Sequence, residues 1–261
     1  MNKRLEEFQR LLDIMNKLRV ECPWDKKQTF ESLRTMTLEE SFELTDAIIS
    51  ENYDDIQKEL GDLLLHIVFY AKIAEEENRF DIYDVLKSIN DKLVFRHNHI
   101  FGEIKLESSE EVSQNWERIK LKEGQNKTVL GGVPNSLPAL IKAHRIQDKA
   151  RNVGFDWEEK EQVWEKVNEE YQELMVELKK DENAENNKNI EEEFGDLFFS
   201  LINAARLYGI NPENALEKTN KKFISRFNYL ESKTIATGRD LKTLSLAEMD
   251  KIWEEAKEKL S

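Results

Sequence analysis

A single cysteine, Cys22, stands among the 261 residues. One thiol closes no disulfide within a chain and builds no thiolate metal centre. A reducing, cytoplasmic location is therefore the expectation. Proline occurs four times and glycine nine times, too rarely for a loop-rich all-β or collagen-like chain. Long apolar runs are also missing. The most apolar stretch, Leu63 to Ala74, includes His66 and Lys72 and is far shorter than the roughly 20 residues that span a bilayer. The first residues, MNKRLEEFQRLLDIM, are charged throughout and lack the apolar centre of a signal peptide. Basic charge is in deficit, with 39 Lys and Arg against 53 Asp and Glu, a net charge of −14. A nucleic-acid partner or an anionic membrane surface needs a basic stripe, so neither is expected.

What remains is rich in Glu, Lys and Leu, with 13 Phe and 5 Trp to build a core. That composition predicts an all-α chain. It also sets a problem. An anionic substrate would need local neutralisation against the acidic background.

The chain reads as one unit written twice. Glu40 and Glu43 are followed by Glu59 and Asp62; Glu170 and Glu173 are followed by Glu193 and Asp196. The offset is 130 for the first pair and 134 for the second. Lys92 and Arg96 recur 130 residues later as Lys222 and Arg226, and Trp116 has a counterpart in Trp253. Pro23-Trp24-Asp25 is loosely matched by Phe155-Asp156-Trp157. The expected organisation is a helical repeat over 1–121, a linker over 122–138 and a second helical repeat over 139–261. The linker, KEGQNKTVLGGVPNSLP, holds three glycines and two prolines and has no helical period.

Within each repeat, apolar spacing predicts several helices. The first runs through Leu5, Phe8, Leu11, Leu12 and Met15. The second opens at Thr37, with Glu40 completing a capping box. Others run over 56–77 and 81–96 after a polar turn at 52–55. In the second repeat, helices are expected over 158–180, 190–207 and 212–233. The segment KDENAENNKN (180–189) reads as a solvated loop, and Pro212 suits a first helical turn.

Carboxylates three residues apart share one helix face. Two such helices packed antiparallel would bring four carboxylates together. That cluster is unfavourable without a cation, and oxygen-only ligands suit Mg²⁺, with Mn²⁺ as a substitute. The alternative is an ordinary solvated acidic face. Gly61 and Gly195 favour the first reading, because each precedes the Asp inside an apolar helix. Glycine costs ~1 kcal/mol there relative to alanine, so its presence twice predicts close helix approach. Lys92 with Arg96, and Lys222 with Arg226, are spaced to project together and could grip phosphate oxygens. Trp253 reads more readily as core packing than as a base stack. His97 and His99, two residues apart, do not share a helix face and read as structural. A di-iron bundle would need Glu-x-x-His pairs, and the second half has His144 alone.

The strings ECPWDKKQTFESL, TLEESFELTDAI, ELGDLLLHIVFYA, DKLVFRHNHIFG, GVPNSLPALIKAHRIQDKARNVGFDW and EEEFGDLFFSLINAAR resemble the MazG family of nucleoside triphosphate pyrophosphohydrolases, over essentially the whole chain. The resemblance implies duplicated four-helix-type all-α domains, each a helical bundle around a carboxylate metal site. It implies a homodimer and a Mg²⁺-dependent cleavage of nucleoside triphosphates to monophosphate and pyrophosphate, with broad base tolerance that includes ATP and deoxynucleotides. A GTPase partner is implied by the family alone. Glu170, Glu173, Glu193 and Asp196 match the family's metal ligands and catalytic acids. Lys166, Val167, Asn168, Glu169 and Glu170 match nucleotide contacts. So do Asn189, Ile190, Glu191, Glu192 and Asp196, the run Lys222, Phe223, Ile224, Ser225 and Arg226, and Trp253. Asn189 stands where the family has a lysine, with Lys188 beside it. Glu40, Glu43, Glu59, Asp62, Lys92 and Arg96 form a complete possible second site. Two other readings stay open: a nucleotide- or protein-binding helical module without turnover, and a phosphatase removing the terminal phosphate.

Overall fold

The computed structural model describes residues 2–260 apart from 103, 105, 107, 109–110, 113–114, 117–118, 120–127 and 181–183. The described residues are helical and contain no strand, so the all-α expectation holds. Two compact units form, Met1–Glu107 and Ser108–Ser261. Residues 122–127 of the expected linker lie outside the described residues. The following residues make a 3₁₀ turn, Val129–Gly132.

The first unit contains α1 (Lys3–Glu21), α2 (Phe30–Ile49), α3 (Tyr53–Glu76) and α4 (Ile82–Arg96), then a single helical turn, Asn98–Phe101. Each long helix begins at a side-chain cap. Asn2, Thr29, Asn52 and Asp81 each accept a backbone N–H from the first turn, worth ~1 kcal/mol apiece. The helix expected to start at Thr37 starts instead at Thr29. Thr29 and Ser32 cap each other reciprocally, which satisfies the orphan donors two turns earlier. Thr37 is mid-helix, and its hydroxyl meets the Leu33 carbonyl at 3.0 Å, His66 Nδ1 at 2.8 Å and Tyr70 Oη at 2.7 Å. Asn52 likewise belongs to a cap, so α3 begins at Tyr53, earlier than its apolar periodicity suggested.

Met15, Leu33, Val68, Phe69 and Ile73 form the core of this unit, with Phe8, Leu11, Leu12, Met36, Leu65, Tyr70 and Ile82 against it. Arg19 ties α1 to α3 through Glu76, with Nη2 2.5 Å from the carboxylate.

The second unit contains α5 (Ala139–Arg151), α6 (Val163–Glu177), α7 (Ala184–Leu207), α8 (Pro212–Ala236) and α9 (Leu246–Lys259). A 3₁₀ turn, Lys160–Gln162, precedes α6, so regular helix starts later than 158. Pro212 is in the first turn of α8 behind the cap Asn211, as expected. Residues 184–189 of the expected loop are the first turns of α7 instead, while 181–183 lie outside the described residues. Asn186 explains the difference. Its side chain is buried and donates to the Glu177 carbonyl at 3.2 Å, so polar side chains there satisfy the end of α6 instead of facing water.

Candidate metal and nucleotide site

In each unit a Glu-x-x-Glu helix packs against a Glu-x-x-Asp helix: α2 against α3, and α6 against α7. The i, i+3 spacing turns both acids of a helix toward its neighbour. In the second unit one carboxylate oxygen from each of Glu170, Glu173 and Glu193 lies within 4.8 Å of the others. In the first, Glu40, Glu43 and Glu59 do the same. Three of the four expected acids therefore converge in each case. Asp62 and Asp196 stand outside these tight sets, though each still acts on them through space.

Glu40 and Glu193 both have raised pKa values. Burial is the first cause for each. For Glu40 the negative charges of Asp62, Glu43 and Glu59 add to it; for Glu193 those of Glu173, Asp196, Glu170 and Glu177 do. Glu59 Oε2 and Glu193 Oε2 are buried and lack a hydrogen-bond partner among the described residues. A buried, unpartnered carboxylate oxygen is costly. Two of them, each inside an all-oxygen triad, are the pattern that a hard divalent cation satisfies.

One lysine partly compensates each triad. Lys58, on α3, reaches Glu59 at 2.8 Å. Lys166, on α6, reaches Glu170 at 2.7 Å and Glu169 at 3.0 Å. The two lysines are not equivalent in the repeat. Hydrogen bonds to the carboxylates raise both lysine pKa values.

Gly61 and Gly195 do not bring helices together as expected. A Cβ at either position would meet no described atom within 4 Å. Both faces are open, as are their neighbours Leu60, Leu64, Phe194 and Phe198.

The basic residues differ in exposure. Lys92 is exposed beside Phe80 and Asp84, while Arg96 is buried. Lys222 is exposed; Arg226 is half-buried, and its Nε is buried with no hydrogen-bond partner among the described residues. Trp253 is half-buried, its ring 5.0 Å from that of Phe223, which stacks on Phe227. Ile224 and Ser225 are exposed. Val167 is half-buried and Asn168 exposed on α6. Asn189 donates to Glu177 at 3.4 Å. Ile190 is half-buried, and Glu191 and Glu192 face outward, Glu192 4.0 Å from Lys188.

Sequence reasoning missed a cleft of about 670 Å³ beside the second triad. Glu170, Asp196 and Lys166 line it. Phe155, Trp157 and Phe199 supply aromatic surface, and Gln147, Asn203 and Arg206 supply polar groups. Arg206 donates to Asp156 and to Asn203 at 3.0 and 2.8 Å, which fixes the floor. The available signal was the loose match of Phe155-Asp156-Trp157 to the first repeat.

With this geometry in view, comparison with known proteins is decisive. The family model for the MazG nucleotide pyrophosphohydrolase domain matches twice, over residues 28–101 and 158–230.

The chain belongs to the MazG family.

Its two matched segments cover both triads, so the duplication is of the MazG domain itself. A nucleoside triphosphate pyrophosphohydrolase of Escherichia coli K12 is 43% identical over 259 residues, 97% of this chain and 98% of that protein. A Thermotoga maritima protein named nucleoside triphosphate pyrophosphohydrolase/pyrophosphatase MazG is 43% identical over 254 residues, 96% of this chain and 95% of its own. A Bacillus subtilis protein, uncharacterized protein YabN, is 45% identical over 97% of this chain, which spans about half (52%) of it. No described helix is long and apolar enough to cross a membrane.

Proposed function

We propose that this MazG protein is a divalent-metal-dependent nucleoside triphosphate pyrophosphohydrolase, acting through the α6–α7 site to give nucleoside monophosphate and pyrophosphate. The observation that carries the reading is the Glu170, Glu173 and Glu193 triad with its buried, unpartnered Glu193 oxygen. The names of the near full-length relatives agree with it.

Glu170, Glu173, Glu193 and Asp196 would hold the cation, Mg²⁺ or Mn²⁺. When bound, such an ion polarises phosphate oxygens and lowers the pKa of water. Water attacks the α-phosphorus, a glutamate of the cluster takes its proton, and the α–β bridging oxygen leaves with pyrophosphate. Lys222 and Arg226 offset charge on the departing phosphates. The further nucleotide contacts come from 166–169 on α6, 189–192 on α7, and Phe223, Ile224, Ser225 and Trp253. The working form is a homodimer, which light scattering checks. The first unit, with Glu40, Glu43, Glu59 and Asp62, and with Lys92 and Arg96, is a second cation site.

The test is product identity across canonical and modified triphosphates, with and without EDTA. Pyrophosphate should appear only with metal. Orthophosphate as the product would replace this reading with a phosphatase. Glu193→Gln and Asp196→Asn should each abolish release; full activity in both would sink the assignment to the second unit.

A further inference from the structure

The Thr37 hydroxyl is the centre of a polar knot in the α2–α3 seam of the first unit. It has one proton and three neighbours: the Leu33 carbonyl at 3.0 Å, His66 Nδ1 at 2.8 Å and Tyr70 Oη at 2.7 Å. A carbonyl only accepts, so the Thr37 proton goes to Leu33. The Thr37 oxygen then accepts from the Tyr70 hydroxyl and from His66 Nδ1–H. This network assigns the His66 tautomer: the proton is on Nδ1, and Nε2 carries a lone pair. Packing holds the ring in that pose. His66 is 5% exposed, its ring meets Tyr70 edge-on at 6.5 Å, and Tyr70 stacks on Phe30 at 5.6 Å. Nε2 has no hydrogen-bond partner among the described residues, and it is not among the atoms closed to solvent.

The first acid set lies in the same seam. Asp62 and His66 are four residues apart on α3, and Thr37 and Glu40 are three apart on α2. Residues at those spacings share a helix face, so the knot follows the acids by about one turn, roughly 5 Å. Burial lowers the His66 pKa, and the negative charge of Asp62 opposes that shift. Asp62 and His66 thus stand together just beyond the tight set of Glu40, Glu43 and Glu59. Their i, i+4 spacing is one by which a single helix offers two donors to one metal ion. The buried, unpartnered Glu59 oxygen on the same helix calls independently for a cation there.

The second unit supplies the contrast. The 130-residue offset that relates the α2 acids to those of α6 puts Val167 at Thr37. The 134-residue offset that relates the α3 acids to those of α7 puts Ser200 at His66, Asn203 at Phe69 and Ala204 at Tyr70. Ser200 donates to the Leu197 carbonyl of its own helix at 2.9 Å. The one histidine of residues 139–261, His144, is on α5 with Nδ1 4.0 Å from Asp148. Imidazole therefore accompanies the first acid set and not the second.

We propose that Asp62 and His66 Nε2 extend the first acid set into a mixed oxygen–nitrogen site for a transition-metal dication of the Co²⁺ or Zn²⁺ class. The proposal rests on reading the first triad as a cation site. Carboxylates alone suit Mg²⁺, whereas a neutral imidazole adds affinity for transition ions. Thr37 fixes the ring by accepting from Nδ1, the kind of outer contact on which metal affinity depends about 10–100-fold. The two units then take different ions, a hard one at α6–α7 and a transition ion at α2–α3.

The experiment is titration of the full chain with Co²⁺ and with Mg²⁺, the second triad being disabled by Glu170→Gln, Glu173→Gln and Glu193→Gln. Calorimetry reads affinity. Proton NMR of the Co²⁺-loaded protein reads the ligand, because a Co²⁺-bound imidazole shows its ring N–H as a strongly displaced, exchangeable resonance. His66→Gln should weaken Co²⁺ by at least about tenfold, leave Mg²⁺ affinity unchanged and remove that resonance. Thr37→Val should weaken Co²⁺ by about tenfold or more and speed exchange of the N–H. Circular dichroism of each variant reports that it is folded. No imidazole resonance in the parent protein, or equal losses of Co²⁺ and Mg²⁺ on His66→Gln, would overturn the proposal, while Mg²⁺ binding leaves the first triad standing as a cation site. Binding of neither ion defeats that reading of the triad and the proposal with it.

Discussion

Lys166 acts as a resident counter-ion of the second triad, and removing it should expose the electrostatic cost of the cluster. Two full charges 4.8 Å apart, the outer limit for Glu170 and Glu173, repel by about 1 kcal/mol at the dielectric constant of water and by about 3 kcal/mol at an effective value near 20. Against this, Lys166 gives Glu170 a charge-assisted hydrogen bond at 2.7 Å. Such bonds contribute about 1.5–3 kcal/mol. The lysine side chain is 40% exposed and that of Glu170 9%, so solvent screening reduces the expected value to about 1–2 kcal/mol. Lys166→Met keeps the apolar stem and deletes the charge. In EDTA, its melting temperature should fall by roughly 2–8 °C, for a unit of this size. A divalent cation takes over the missing charge. At about 100 times its dissociation constant it stabilises by about 2.7 kcal/mol, so the variant should recover fully in excess Mg²⁺ and show the larger metal-induced shift. Scanning calorimetry at two metal concentrations reads both effects. An unchanged melting temperature in EDTA, or equal Mg²⁺ shifts in the two proteins, would refute the reasoning.

In the first unit, Glu59→Gln together with Asp62→Asn should remove one of two bound cations, read by metal titration; an unchanged stoichiometry makes that triad structural. Phe69→Ala should destabilise the first unit by about 3–5 kcal/mol, measured by denaturant unfolding, and a loss below 1 kcal/mol would contradict its place in the core. Glu255, on α9, accepts from Lys259 at 2.6 Å and from Tyr229 at 2.6 Å, which lowers its pKa to about 2. A depressed carboxylate pKa gives stability that is present above the unfolded value near 4.5 and is lost as pH falls toward 2. Glu255→Gln should therefore lower the melting temperature at pH 7 and make little difference near pH 2; a pH-independent gap would refute the linkage.

The helical class and the acid sets were legible because both depend on short-range spacing. An i, i+3 pair shares a face wherever the helix goes, so Glu170 with Glu173 and Glu40 with Glu43 could be paired by counting. The cap of α2 was misread for a related reason. Thr37 followed by Glu40 fits the capping pattern, whereas the cap actually used pairs Thr29 with Ser32, a serine where the pattern has Glu or Gln, and this earlier cap starts the helix first. Gly61 and Gly195 were read as close approaches because propensity says only that glycine is costly in a helix, not what lies beside it. The cleft floor was out of reach. Gln147 meets Phe199 across 52 residues and Arg206 meets Asp156 across 50, and no local period encodes such pairings. Asn186 shows the opposite error: polarity alone suggested a loop, whereas one buried amide at the end of α6 lets helix continue.

The burial of Phe69 in the first unit has a practical consequence. Both copies keep the acid triad, on the same helix pair and in the same polypeptide, yet Phe69 stands where Asn203 does. Each copy is therefore the other's internal control. A ligand that perturbs both copies alike is reporting on what they share, the acid triad, and one that perturbs only the second is reporting on what that copy alone has, the cleft beside it. Spectra assigned by residue on a single sample can thus separate a ligand's effect on the triads from its effect on the cleft, with concentration, buffer and temperature identical by construction.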